Sequence, residues 1–149
     1  MSVPTRLGHL ARRFLRSLSR RPPSPEDTEW VLVHLLPDEA QLWQRMAVQD
    51  RCHSVLVARR FIAERPAAAR EEIAGALLHD VGKLASGLGT FARVAATIAG
   101  PRTARWRDYH DHERLGAEML TAAGSAHATV ELVQGRGPAA AALRAADDI

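Results

Sequence analysis

The chain has 149 residues, 46% of them hydrophobic and 25% charged, which suits one domain able to bury a core and leaves no room for a second full one. Aromatic residues make up 5% while 27 residues are Ala, a mixture that favours helices, and the single Cys52 excludes an internal disulfide framework or a Cys-rich zinc site. No apolar run approaches the roughly 20 residues that span a bilayer, and no secretory leader is evident, so a soluble, cytoplasmic protein is expected.

The net charge of +3 is distributed unevenly. Residues 1–21 hold six arginines and no acidic group, whereas the remaining 128 carry 14 basic against 17 acidic residues. The basicity belongs to the N-terminal segment, and the body has no specific nucleic-acid signature. In that segment Leu7, Leu10, Ala11, Phe14, Leu15 and Leu18 recur at helical spacing with arginines on the other faces. Such a basic amphipathic helix suits peripheral docking on an anionic membrane surface or an acidic partner, or packing on its own domain. Residues 22–25 read as a stiff Pro-rich linker, with Ser24 placed to cap a new helix and Pro25 at its first position. The domain proper is expected over 26–149. Helical patterns follow at 26–36, 38–49, 51–64, 70–82, 90–99, 112–123, 126–134 and 138–148, separated by Pro37, Pro66, Gly100-Pro101, Gly124 and Gly135-Arg136-Gly137-Pro138. No segment alternates with period two. The expected fold class is therefore all-α, a single compact helical domain.

Certain ionisable residues fall where these helices turn inward. His53 precedes Leu56 and Val57 by three and four residues, on the apolar face of its helix. Ile73, Ala76, Leu77 and Leu84 form a buried stripe, and Asp80 sits in it; His79, its neighbour, lies about 100° round the helix and reaches the same point only beside a shared edge of the core. Asp147 follows Leu143 by four on the last helix. An ionised carboxylate buried without a partner is costly enough to force protonation, so two Asp on core stripes call for a cation. Two imidazoles and two carboxylates form a mixed nitrogen and oxygen set suited to Mn²⁺, Fe²⁺, Co²⁺, Ni²⁺ or Zn²⁺. Four protein ligands leave a six-coordinate ion with places for water and substrate.

His53, then His79-Asp80-Val81-Gly82-Lys83, then Asp147, resembles the pattern of the HD superfamily of metal-dependent phosphohydrolases. The surrounding segments Arg51-Cys52-His53-Ser54-Val55, Leu77 to Lys83 and Leu143 to Asp147 look like the family's own, and the likeness covers roughly residues 40 to 149. It implies an all-helical domain in which His53, His79, Asp80 and Asp147 hold one divalent metal ion, Mn²⁺ foremost, with Co²⁺, Ni²⁺, Fe²⁺, Zn²⁺ or Mg²⁺ as alternatives. It also implies hydrolysis of a nucleotide or other small phosphate ester through a metal-activated water. Asp80 is then both ligand and proton acceptor, and Lys83 presents a positive charge to a phosphate oxygen. Gly82 allows backbone or substrate to come close.

Members of the superfamily with two metals carry further His ligands between the His-Asp pair and the last Asp. Here His112, within His110-Asp111-His112-Glu113, matches the first of these, while Val133-Gln134-Gly135 stands where a second is expected. A mononuclear site follows, with His110 or His112 contacting substrate or water and His127 on another face. Arg93, Arg102, Arg105, Arg107 and Trp106 are candidates for substrate contact, or an ordinary solvated face. Two residues follow Asp147, so a closing wall for the pocket is expected from a second copy of the chain, in a homodimer. The competing expectation is a metal-retaining, weakly or non-catalytic ligand-binding module that docks through its basic tail.

Overall fold

Ser24 Oγ accepts the amide of Asp27 at 3.0 Å, with Pro25 beginning the helix that follows; this is the cap and first-turn proline that start a helix where a Pro-rich stretch ends. The computed structural model describes residues 21–86 and 111–148. Among the described residues there are eight helices and no strand: α1 (Pro25–Leu32), α2 (Pro37–Arg45), α3 (Val48–Glu64), α4 (Arg70–Leu77), α5 (Lys83–Ser86), α6 (His112–Ala122), α7 (His127–Val133) and α8 (Ala140–Asp147). The chain is all-α, as its composition and punctuation predict. The helix expected in the N-terminal tail and the one expected at 90–99 lie outside the described residues.

Three helices end earlier than their periodicity suggests. The first stops at Leu32 rather than 36, where the Val33 and His34 amides turn back to the Glu29 and Val31 carbonyls. The second stops at Arg45 because Met46 turns extended, with ψ 150°, and its side chain enters the core. The fourth stops at Leu77 rather than 82: Leu78 leaves helical geometry, and Val81, Lys83, Leu84 and Ala85 each donate to the carbonyl three residues back. These are tighter turns than an α-helix makes. Neither of these last two exits carries a Gly or Pro signal at the breaking residue, so tertiary burial decides both.

The core forms around the segment from Ile73 to Gly82, every residue of which is buried. Its first part, Ile73 to Leu78, is apolar on all sides, and such an element belongs at the centre of a domain. Accordingly α4 packs on both α3 and α7, while α3 also packs on α8, α7 on α6 and α6 on α5. Trp43, Phe61, Leu77, Leu78, Leu120 and Leu132 are fully buried, each large aliphatic or aromatic side chain contributing on the order of 1.5–3 kcal/mol. Several polar groups carried inside find partners there. Trp43 Nε1 donates to Ser54 Oγ at 2.9 Å, Ser54 Oγ donates to the Arg51 carbonyl at 2.8 Å, and Thr129 Oγ1 ties α7 to α4 by donating to the Glu71 carbonyl at 2.8 Å.

Helices α6 and α7 finish in the same way. Gly124 (φ 76°) and Gly135 (φ 72°) adopt left-handed backbone, and the amides of Ser125 and Arg136 return to the carbonyls five residues earlier, Leu120 and Glu131. This Schellman closure needs glycine at its left-handed residue. The second closure sets Gly135 at the rim of the cavity described next.

Candidate metal centre

Three separate elements deliver the ionisable side chains. His53 comes from the second turn of α3, His79 and Asp80 from the tight turn after α4, and Asp147 from the last residue of α8. Leaving α-geometry at Leu78 lets the neighbours His79 and Asp80 converge, with Nε2 and Oδ2 at 3.6 Å. His53 Nε2 meets Asp147 Oδ1 at 2.8 Å across 94 residues of sequence. His53, His79 and Asp147 each offer one ligand atom, all within 4.8 Å of one another. Asp80 adjoins this trio while its Oδ2 accepts a hydrogen bond from Lys83 Nζ at 2.7 Å. His79 and Asp80 are buried; His53 and Asp147 keep 30% and 44% of their side chains exposed, which leaves one side of the cluster open to solvent.

His79 shows what the cluster suits. Its Nδ1 lies 2.8 Å from the Ala76 carbonyl, a group that accepts and never donates, so Nδ1 carries the hydrogen and the neutral ring turns a lone pair out through Nε2. That atom is buried without a hydrogen-bond partner, and it faces Asp147 Oδ1 at 3.5 Å and Asp80 Oδ2 at 3.6 Å. A lone pair set against two carboxylates demands a cation between them. In the absence of a metal that cation is a proton. Burial alone would lower the His79 pKa, but the Asp80 and Asp147 carboxylates outweigh it and push it up to about 9. Burial raises Asp80 in turn, yet His79 and Lys83 hold its carboxyl far below the usual carboxylate range. Asp147 is also held low, first by its hydrogen bond with His53 and then by the nearby His79 ring. A divalent ion satisfies the same three groups, and a backbone carbonyl already fixes the ligating tautomer of His79, the arrangement that metal-binding imidazoles use. The donor set fits such an ion.

Beside the cluster opens a cavity of about 100 Å³. Among the described residues its polar lining is His79, Asp80, Asp147, His112, Glu113 and Arg144, with an apolar wall from α7 and α8. His112, the first residue of α6, places Nε2 3.8 Å from Asp80 Oδ1. It gets there by a close backbone approach: a Cβ built on Gly82 would lie 1.7 Å from the His112 carbonyl oxygen. The closeness expected at Gly82 is thus filled by α6. Lys83 Nζ is held between Asp80 Oδ2 at 2.7 Å and Asp50 Oδ1 at 3.7 Å.

Three residues near the cluster were not anticipated. Asp50 is buried one turn before His53, Glu113 follows His112, and Arg144 stands one turn before Asp147. For Asp50 and Arg144 the available signal was helical spacing, three residues from a ligand candidate; for Glu113 it was only adjacency to His112. His127 is exposed at the start of α7 and is not part of the trio. His110, Arg93, Arg102, Arg105, Arg107 and Trp106 lie outside the described residues. Cys52 donates its thiol to the Arg21 carbonyl at 3.3 Å, and burial pushes its pKa up, both properties of a structural thiol.

An all-helical domain that gathers imidazoles and carboxylates around a buried, cation-seeking ring nitrogen defines a class of metal-binding helical domains. The family model described as "HD domain" matches residues 51–142, more than half of the chain, and the protein belongs to the HD domain family. That family is a superfamily of metal-dependent phosphohydrolases whose domains bind divalent metal ions. The matched stretch includes His53, His79, Asp80, Lys83 and His112 and ends five residues before Asp147, so it is the fold that brings Asp147 to His53. No curated protein and no solved structure matches the chain.

Proposed function

We propose that the protein is a phosphohydrolase that acts on a nucleotide or another small phosphate ester, with one divalent ion, Mn²⁺ foremost, held by His53, His79, Asp80 and Asp147. The observation that carries this reading is the buried, partnerless Nε2 of His79, facing two carboxylates beside an open cavity. When bound, the ion supplies Lewis acidity toward a phosphoryl oxygen and favours ionisation of water near neutral pH.

The chain's own groups do the rest. Asp80 is kept ionised, and with Oδ2 engaged by Lys83 it turns Oδ1 toward the space in front of His112. There it accepts the proton that the attacking water gives up as its oxygen bonds to phosphorus. A carboxylate held so low passes a proton on readily, and His112 Nε2 at 3.8 Å is placed to receive it and to return it to the departing ester oxygen. Lys83, between Asp80 and Asp50, tempers the negative charge that a phosphate dianion meets on approach. Among the described residues no helix is long and apolar enough to cross a membrane, and we place the reaction in the cytoplasm, where a lone free Cys52 stays reduced.

The test is elemental analysis of the full chain purified without a His tag, followed by a phosphate-release screen over nucleotides and small phosphate esters in Mn²⁺, Co²⁺ and Mg²⁺. The expected result is about one ion per chain and turnover that Asp80→Ala abolishes while circular dichroism stays unchanged. Retained metal with no turnover on any ester would instead mark a binding module.

A further inference from the structure

The cavity beside the trio needs a positive group for the phosphate it receives, and Lys83 is already committed. Its ammonium stands between Asp80 and Asp50 and is not among the described residues that line the cavity. A divalent ion is balanced by the two carboxylates that hold it, Asp80 and Asp147. Glu113, also on the lining, adds a further negative charge. A phosphate dianion entering this space meets one permanently cationic side chain among the described lining residues, Arg144.

Arg144 is well placed for the task. It lies one helical turn before Asp147 on α8, so the two side chains leave the same face, with Cβ atoms about 5–6 Å apart. Its guanidinium is exposed, and its hydrogen bond is a long one, Nη1 to the Gly135 carbonyl at 3.4 Å. A neutral contact of that length exchanges readily for the bidentate, charge-assisted pair that guanidinium makes with phosphate. Glu113 borders the same rim, its carboxylate near Gly135, and repels an anion from its side. The volume agrees: pockets for whole small-molecule ligands run to roughly 300–1,000 Å³, whereas this one is about 100 Å³. It accepts a phosphoryl head, with Arg144 on its lining, and leaves the body of the ester outside.

We propose that Arg144 is the phosphate-binding residue of this site, gripping non-transferred oxygens of a phosphomonoester dianion whose remaining part lies outside the cavity. The assignment rests on the metal-centre reading above. It is tested with inorganic phosphate titrated calorimetrically into the Mn²⁺-loaded full chain, for the parent, Arg144→Ala, Arg144→Lys and Arg136→Ala, with metal content measured on each sample. Arg136 is an exposed arginine of the turn before α8, next to Gly135, that pairs with Gln134, and it controls for loss of a nearby positive charge. The expected result is unchanged metal content throughout, phosphate binding weakened about tenfold to a hundredfold in Arg144→Ala, partial recovery in Arg144→Lys, and parent-like binding in Arg136→Ala. Equal phosphate affinity in the parent and Arg144→Ala, or equal losses in Arg144→Ala and Arg136→Ala, would overturn the assignment. A parent that takes up metal but no phosphate overturns it too and leaves the metal centre standing; a parent that takes up no metal overturns the metal centre, and the assignment with it.

Discussion

Replacing Gly82 by Ala tests how the fold delivers His112. The added methyl would lie 1.7 Å from the His112 carbonyl oxygen, 2.6 Å from its carbon and 2.8 Å from the Gly116 amide nitrogen, where ordinary contact begins at 3.4 Å. The obstruction is backbone, so no side-chain rotation relieves it, and the first turn of α6 must retreat by about 1.7 Å, the difference between 3.4 and 1.7 Å. Gly116 of α6 is itself in close contact with Gly82, so the retreat also opens the α5–α6 interface. Overpacking a core costs typically 1–3 kcal/mol, and a clash against backbone belongs at or above the upper end. At about 2–4 °C per kcal/mol for a chain of this length, the melting temperature is expected to fall by about 6–12 °C. His53, His79 and Asp147 do not lie on α6, so metal uptake persists below the transition. Phosphate release falls, because His112 is drawn away from Asp80. Differential scanning calorimetry, metal analysis and the phosphate assay read the three effects separately. A variant that melts within about 1 °C of the parent and keeps its turnover would refute the packing argument and the role given to His112.

Three further outcomes follow from the cluster. Substituting Ala at His53, His79, Asp80 or Asp147 is expected to remove most of the bound metal, whereas His127→Ala, on the exposed start of α7, retains it; elemental analysis decides, and an empty site in His127→Ala alone would overturn the ligand assignment. In the metal-free protein the folded-state pKa of His79, about 9, exceeds its ordinary 6.5, so its contribution to stability is complete below about pH 6.5 and is lost as pH rises through about 9. Asp80 and Asp147 are held below their ordinary 3.8, so their contributions are present above that value and are lost as pH falls. Because metal must displace the His79 proton, apparent metal affinity is expected to rise by up to about tenfold per pH unit between pH 6.5 and 9 and then level off. Metal titrations across that range check this, and an affinity independent of pH would show that His79 carries no proton to displace.

Much of this molecule was written locally in the chain. Ser24-Pro25, Pro37, Gly124 and Gly135 mark helix boundaries through fixed backbone preferences that act within a turn, and the structure places boundaries there. The His79-Asp80 pair declared itself because ligand-type residues on a buried stripe violate the rule that charge stays outside. What the sequence left open depends on neighbours far along the chain. The early end of α4 follows from burying Ile73 through Gly82 on every side, which periodicity alone does not reveal. The meeting of His53 with Asp147, 94 residues apart, is made by packing α3 against α8. The division of labour between the two cations is likewise tertiary. Lys83 stands where sequence spacing puts it, next to Asp80, but the buried Asp50 from α3 claims its other side, while Arg144 acquires a cavity to face because the α7–α8 turn folds Gly135 against it. Local chemistry chose the helices and nominated the ligands; long-range packing chose which of them meet, because distances between side chains on different helices are fixed only when the helices close around one core.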